Sequence, residues 1–200
     1  MSLTISGIEI TAPIKEEYEN SLNFFVDKRI IRGYGWIFPI GGGMGHVGIG
    51  GLASGSGLNN ALRSFLNRLE IPFSRNGLVG GAIPCTGLGD PVEDGKYFVG
   101  DSARQALPLS AEGIRTSLYF SRMCADAIMA VERGKLSPAE GLRFYGKKVM
   151  ETRYAFGALA LIQAAYLALP QVFFDSCVFF ATMKPLRNPL LRSYLSIARL

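Results

Sequence analysis

Apolar and polar positions alternate over Tyr34–Ile40, which puts Tyr34, Trp36 and Phe38 on one side and Gly35 and Ile37 on the other. A period of two is the mark of a strand. Gly41–Gly43 follow as a turn and His46–Gly50 as a returning strand, so residues 34–50 predict a hairpin. β-Branched and aromatic residues predict two earlier strands, over residues 3–10 and 21–27. Then the period lengthens: Leu58, Leu62, Phe65, Leu66 and Leu69 share one side of a helix over 58–69. Residues 77–86 predict a loop leading into a short strand. Lys96–Val99 predict a buried strand that ends at Gly100-Asp101. A long helix is expected from Ala111 to Arg133, with Ile114, Leu118, Ser121, Ala125 and Ile128 as its inward stripe. Ser137-Pro138 predicts the next helix start, since serine caps an N-terminus and proline suits the first helical position. Two apolar stretches follow, 155–169 and 171–183. The first is shorter than the roughly 20 residues that span a bilayer, and Pro170 and Asp175 interrupt the rest. Both predict helices that line an apolar cavity or lie in a membrane interface.

Composition narrows the picture. In 200 residues, 48% hydrophobic and 18% charged content supports a sizeable core and excludes a disordered chain. The 24 glycines cluster at 41–57 and 77–89 without a collagen period, so they mark turns and close backbone approaches. Cys85, Cys124 and Cys177 are far apart, and His46 is the sole histidine; a zinc set and a disulfide framework are both excluded, and a reducing, cytoplasmic setting is expected. The opening MSLTISGIEI does not read as a signal peptide. The net charge of +5 is uneven: residues 141–200 carry 8 basic and 2 acidic side chains. A basic, apolar tail predicts either peripheral contact with an anionic membrane or lipid-like ligand, or a solvated basic face. No nucleic-acid motif accompanies the charge, so nucleic acid is not an expected partner.

The candidate chemistry lies in two segments. Gly43, Gly45 and Gly48 match G-x-G-x-x-G, but a strand rather than a helix follows, so they read as a hairpin and not as a dinucleotide fingerprint. The run KYFVGDSARQALPLSAEGI at 96–114 is more informative. A strand ending in Gly-Asp, a proline loop and a helix start suit a flavin. Asp101 can accept hydrogen bonds from ribityl hydroxyls, Gly100 permits close approach, and the helix N-terminus favours the electron-rich edge of the ring. An ordinary strand–loop–helix unit with Asp101 as a turn former accounts for the segment equally well. No catalytic residue and no metal set is identifiable. Cys85 reads as a small buried thiol rather than a redox group, and His46 as structural or exposed. Met123, Cys124, Met129 and Met150 read as core. Phe156, Tyr166, Phe173, Phe174, Phe179 and Phe180 read as helix packing, with a ligand tunnel as the alternative.

Gly33–Gly50 resembles the Y-x-W-x-F-P segment of the geranylgeranyl reductase family of FAD-dependent oxidoreductases. Ala82–Pro84 resembles the family's next short motif, and Tyr97–Ile114 its second FAD motif, in the same order. The resemblance implies an α+β fold of the para-hydroxybenzoate hydroxylase-like type: an antiparallel substrate-domain sheet over 1–90, a strand–loop–helix remnant of the FAD domain over 91–135, and a helical C-terminal region over 136–200. It implies FAD as cofactor and reduction of C=C bonds in isoprenoid chains of lipids or pigment precursors. Tyr34, Trp36, Phe38 and Pro39 would line the prenyl chain. Gly100 and Asp101 would contact the ribityl and diphosphate groups, and Pro108, Glu112, Gly113 and Ile114 the isoalloxazine. The family's strand–GxGxxG–helix unit for the ADP half of FAD is missing here; three readings stay open for it, namely loss from the gene, a separate chain, or a place outside these 200 residues. Two further departures are Arg104 in the corner loop and Ala111 where a glycine is usual. Two readings stay open beside this one: a cofactor-free lipid-binding module or inactive fragment, and a related flavoprotein acting on a quinone or aromatic substrate.

Overall fold

The computed structural model describes residues 4–27, 31–52, 55–74, 77–85 and 87–170, with isolated positions 172, 173, 175, 176, 183, 188, 189 and 192. They form two compact units, one of residues 4–83 and one beginning at Pro84.

The first unit is a five-stranded sheet with one helix. Strands β1 (Thr4–Pro13), β2 (Asn23–Phe25), β3 (Gly33–Gly41), β4 (Met44–Gly51) and β5 (Val79–Pro84) lie in the order β2-β3-β4-β1-β5. The expected hairpin is β3–β4, closed by Gly42 and Gly43 at φ +63° and +71°, which two-residue hairpin turns demand. Helix α1 (Ser56–Leu69) buries the five predicted residues Leu58, Leu62, Phe65, Leu66 and Leu69 against Ile10, Ile37, Val47 and Ile49 of the sheet. Arg68 at the helix end donates to the Asp27 carboxylate at 3.0 Å, tying α1 to the chain after β2. With one face under α1, alternation sends every second side chain of β1–β4 to the opposite face.

The second unit starts with a two-stranded ribbon, β6 (Val92–Glu93) and β7 (Lys96–Tyr97), joined by Asp94-Gly95 at φ +49° and +74°. A 3-10 turn (Gly100–Ala103) follows, then α2 (Ile114–Glu132), α3 (Pro138–Glu151) and α4 (Arg153–Ala168). Leu107, Phe120, Cys124, Ala127, Tyr145, Val149, Phe156 and Leu159 form its core. The expected serine cap is present: Ser137 Oγ accepts the Glu140 N–H at 3.3 Å, and the Glu140 carboxylate accepts the Ser137 N–H at 2.8 Å, a capping box.

Three expectations are corrected. The strand at Lys96–Val99 is only two residues long and half-buried, because it pairs with the short β6 and not with a central strand. Helix α2 starts at Ile114 rather than Ala111, and its inward stripe is Thr116, Phe120, Cys124 and Ala127. Ile114, Leu118 and Ile128 are 82%, 68% and 41% exposed. Two apolar stripes share this helix, and periodicity does not rank them; packing of Phe120 with Phe156 does (6.2 Å between ring centres). Met129, Met150 and Phe173 are exposed rather than core. Phe174, Cys177, Phe179 and Phe180 lie outside the described residues. Among the described residues, no helix is long and apolar enough to cross a membrane.

Candidate active site

The face of the sheet away from α1 carries an aromatic wall. Tyr34, Trp36 and Phe38 stand on it in succession, with ring centres 5.8 and 6.1 Å apart. Phe24 of β2, which pairs with Trp36, adds a fourth ring 5.9 Å from Tyr34 and 5.4 Å from Phe38. Pro39 follows at the bulged end of β3. The structure therefore brings Tyr34, Trp36 and Phe38 together as expected. Phe24 was not foreseen; the signal for it is its place as the middle residue of a three-residue strand.

The neighbouring strand explains the glycines. Register opposes Trp36 to Gly48 and Tyr34 to Gly50. A Cβ on Gly48 would fall 2.5 Å from the Trp36 ring, and one on Gly50 3.3 Å from it. The indole thus lies flat across a strand stripped of side chains. Of the G-x-G-x-x-G match only Gly48 lies under this ring, while Gly43 belongs to the hairpin turn and Gly45 faces Ile14, in keeping with the rejection of a dinucleotide motif.

Three polar groups end the wall. Glu9 pairs with Gly48, and Thr11 with His46, while His46 pairs with Phe38. Trp36 Nε1 donates to Glu9 Oε2 at 2.9 Å. His46 Nδ1 is 3.2 Å from Thr11 Oγ1 and 3.8 Å from Glu9 Oε1. These residues were not singled out together from sequence. The available signal was polar alternation in β1, where Glu9 and Thr11 interleave with Ile8, Ile10 and Ala12. A separate cleft of about 570 Å³ in this unit, lined by Ser56, Asn59, Asn60, Arg63, Phe73 and Leu78, contains none of the expected site residues.

The candidate cofactor residues all lie in the second unit, five on the segment between β7 and α2 and Ile114 at the first position of α2. Two buried glutamines brace this loop from within. Gln105 Oε1 accepts the Gly100 N–H at 2.7 Å, and its Nε2 donates to Tyr145 Oη at 3.2 Å; that hydroxyl donates to the Phe98 carbonyl at 2.8 Å. Gln163, with its amide oriented to satisfy both neighbours, donates to the Cys85 carbonyl (3.2 Å) and accepts from Leu109 N–H (3.3 Å). Gly100 has φ +72°, and a Cβ there would meet Ser117 Oγ at 3.1 Å. Arg104, Leu109 and Ala111 also have positive φ (+50°, +74° and +55°). Non-glycine residues there are strained, so the glycine usual at position 111 in the resembled family has a physical reason.

Asp101 is exposed, and its Oδ1 lies 3.8 Å from where a Gly113 Cβ would stand, beside the start of α2. A solvent-facing carboxylate next to an open helix N-terminus fits the polar part of a flavin: Asp101 as acceptor, the first turn of α2 as donor to an electron-rich edge. Glu112 is held by Arg115 at 2.5 and 3.1 Å, and its carbonyl accepts the Leu107 N–H at 2.9 Å. Pro108 is buried.

Cys85 is fully buried. Burial, reinforced by the Asp101 carboxylate, pushes its thiol up to about 12. A neutral thiol is a poor nucleophile, which agrees with reading it as structural. Among the described residues, no group of three or more His, Cys, Asp and Glu could hold a metal.

No family model matches the chain. A digeranylgeranylglycerophospholipid reductase of Methanosphaerula palustris is 35% identical over 128 residues, covering 60% of this chain and 32% of the relative. Among solved structures, a geranylgeranyl bacteriochlorophyll reductase-like protein of Thermoplasma acidophilum shares the fold over 92% of this chain and 48% of its own, with a TM-score of 0.79 at 22% identity. A flavin-dependent brominase shares it over 96% of this chain and 50% of its own, with a TM-score of 0.58 at 16% identity. The α+β architecture with an antiparallel sheet and a helical C-terminal region is therefore the fold of these solved structures. Over about 130 residues the chain is similar to proteins named digeranylgeranylglycerophospholipid reductase, and it spans about a third of the length of the curated relatives it matches.

Proposed function

We propose that this chain is the substrate-binding and C-terminal part of a flavin-dependent reductase acting on C=C bonds in isoprenoid chains of lipids or pigment precursors. The observation that carries this reading is the wall of Phe24, Tyr34, Trp36 and Phe38 on one sheet face, in a relative of enzymes named for digeranylgeranylglycerophospholipid. Four rings offer a polyprenyl chain continuous apolar surface and exclude water from it. FAD, when bound, supplies the hydride. Gly100, Asp101, Pro108, Glu112, Gly113 and Ile114 form the corner that would hold its ribityl and ring portions. The ADP-binding half would lie outside these 200 residues, and the exposed Leu118 and Ile128 of α2 are an apolar face for it to cover. Leu161 and Ile162, 74% and 45% exposed on α4, support peripheral contact with a membrane from the cytoplasmic side.

The test is to record the visible spectrum of the purified chain with FAD, alone and with a chain bearing the strand–GxGxxG–helix unit. Dithionite and a digeranylgeranyl lipid are then added, and lipid mass is followed. A shifted flavin band and a gain of hydrogen by the lipid are expected. Absence of flavin binding with the second chain present sinks the reading. It would favour a cofactor-free prenyl-binding module, a view supported by Gln105 already engaging the Gly100 N–H.

A further inference from the structure

We infer that Glu9 is a positioning residue for the prenyl site: its carboxylate fixes which way the Trp36 indole lies, and so shapes the aromatic wall before a chain arrives. The inference rests on the reading of the wall as a prenyl site. Trp36, Gly48 and Glu9 form the central cross-strand row of the face, between the rows Tyr34–Gly50–Gly7 and Phe38–His46–Thr11. The ring lies over Gly48 and reaches Gly50 and Gly7: a Cβ on these glycines would stand 2.5, 3.3 and 3.7 Å from it. Three glycines give the ring a floor but no side chain that interlocks with it.

A floor without side chains leaves one freedom unfixed. The torsion that turns an aromatic ring about its Cβ is broad and close to two-fold. A half-turn would keep the indole on the same floor and carry its N–H to the opposite side. Tyr34 and Phe38 flank the ring at 5.8 and 6.1 Å, and such ring contacts carry less direction than a charge-assisted hydrogen bond. The direction comes from Glu9, whose Oε2 accepts the indole N–H at 2.9 Å. The stem of Glu9 also crosses the floor beside the ring, since a Cβ on Gly48 would stand 2.6 Å from the Glu9 Cβ. The acceptor is itself held. Its other oxygen lies 3.8 Å from His46 Nδ1, which is 3.2 Å from Thr11 Oγ1. A ring locked in this way leaves less to order when a chain binds, which is how preorganisation raises affinity.

Trp36 is the sole tryptophan, so the anisotropy decay of its emission in the full 200-residue chain reports the freedom of this ring without any ligand. Glu9→Leu removes the acceptor and should add a fast component to that decay. Glu9→Gln keeps an oxygen for the N–H and should leave the decay slow. Geranylgeraniol, titrated by calorimetry, should bind Glu9→Leu about three- to tenfold more weakly than the native chain, the scale of one hydrogen bond, and Glu9→Gln nearly as well as the native chain. Trp36→Phe has no N–H to hold, so adding Glu9→Leu to it should weaken binding no further. Circular dichroism checks each fold, and Glu9→Ser, too short to reach the indole, replaces Glu9→Leu if that chain does not fold. An unchanged anisotropy decay in Glu9→Leu, or an equal loss of affinity when Glu9→Leu is added to Trp36→Phe, overturns the inference while the prenyl reading stands. If the native chain binds no geranylgeraniol, the prenyl reading of the wall fails, and the anisotropy decay still decides whether Glu9 locks the ring.

Discussion

Single positions carry sharp consequences. The buried Cys85 thiol, raised to about 12, stays neutral in the folded chain through pH 8, where an ordinary cysteine near 8.5 is partly ionised. Iodoacetamide should therefore spare Cys85 in the native chain and label it after denaturation, read as the mass of the peptide that carries it. The sign for stability follows from linkage. The unfolded thiol loses its proton first, so the stabilisation is whole below about pH 9 and drains away as pH climbs toward 12. Gly48 gives a second case. Gly48→Ala puts a methyl group 2.5 Å from the Trp36 ring, so the ring must lift. Red-shifted emission from Trp36 is expected with little loss of helix signal, and circular dichroism with fluorescence on one sample checks both. The glycine was legible as a close approach, but its neighbour was not, because register decides which side chain crosses it.

Among elements, α1 and α3 were readable and α2 was only half so. The five apolar positions of α1 have no rival stripe, and the Ser-Pro-x-Glu start of α3 satisfies its own amides. Replacing Ser137 by alanine should lower Tm by a few degrees through loss of that cap. In α2 two apolar stripes compete, and the partner surface, Tyr145 and Val149 of α3 with Phe156 of α4, lies far off in sequence. The consequence is measurable. Phe120→Ala should cost about 3–5 kcal/mol, whereas Leu118→Lys should move the stability of this chain by less than about 0.5 kcal/mol, both followed by urea unfolding. If Leu118→Lys unfolds the chain, the assignment of the inward stripe is wrong. Strand lengths were harder: the β6–β7 ribbon was missed although Asp94-Gly95 is a good hairpin dipeptide, because two-residue strands have no period to detect.

At the scale of the molecule, the α+β architecture and the relation to the geranylgeranyl reductases were both visible in three short motifs, because each motif sits where backbone geometry leaves few choices. The polar end of the wall was not visible. Glu9 and His46 are 37 positions apart, and only the pairing of β1 with β4 makes them neighbours. The two braces of the Gly100–Gly113 loop, Gln105 and Gln163, are equally silent in sequence, since a buried glutamine looks like any polar residue until its partners are known.

The indole resting on bare strand also acts as a gauge. It fills the space that Gly48 and Gly50 leave above β4, so on the prenyl-chain reading trimming Trp36 to leucine should open room for a bulkier cargo, such as a ringed terpene. A competition between linear and cyclic terpenes on Trp36→Leu, followed by calorimetry, should show the preference reversed.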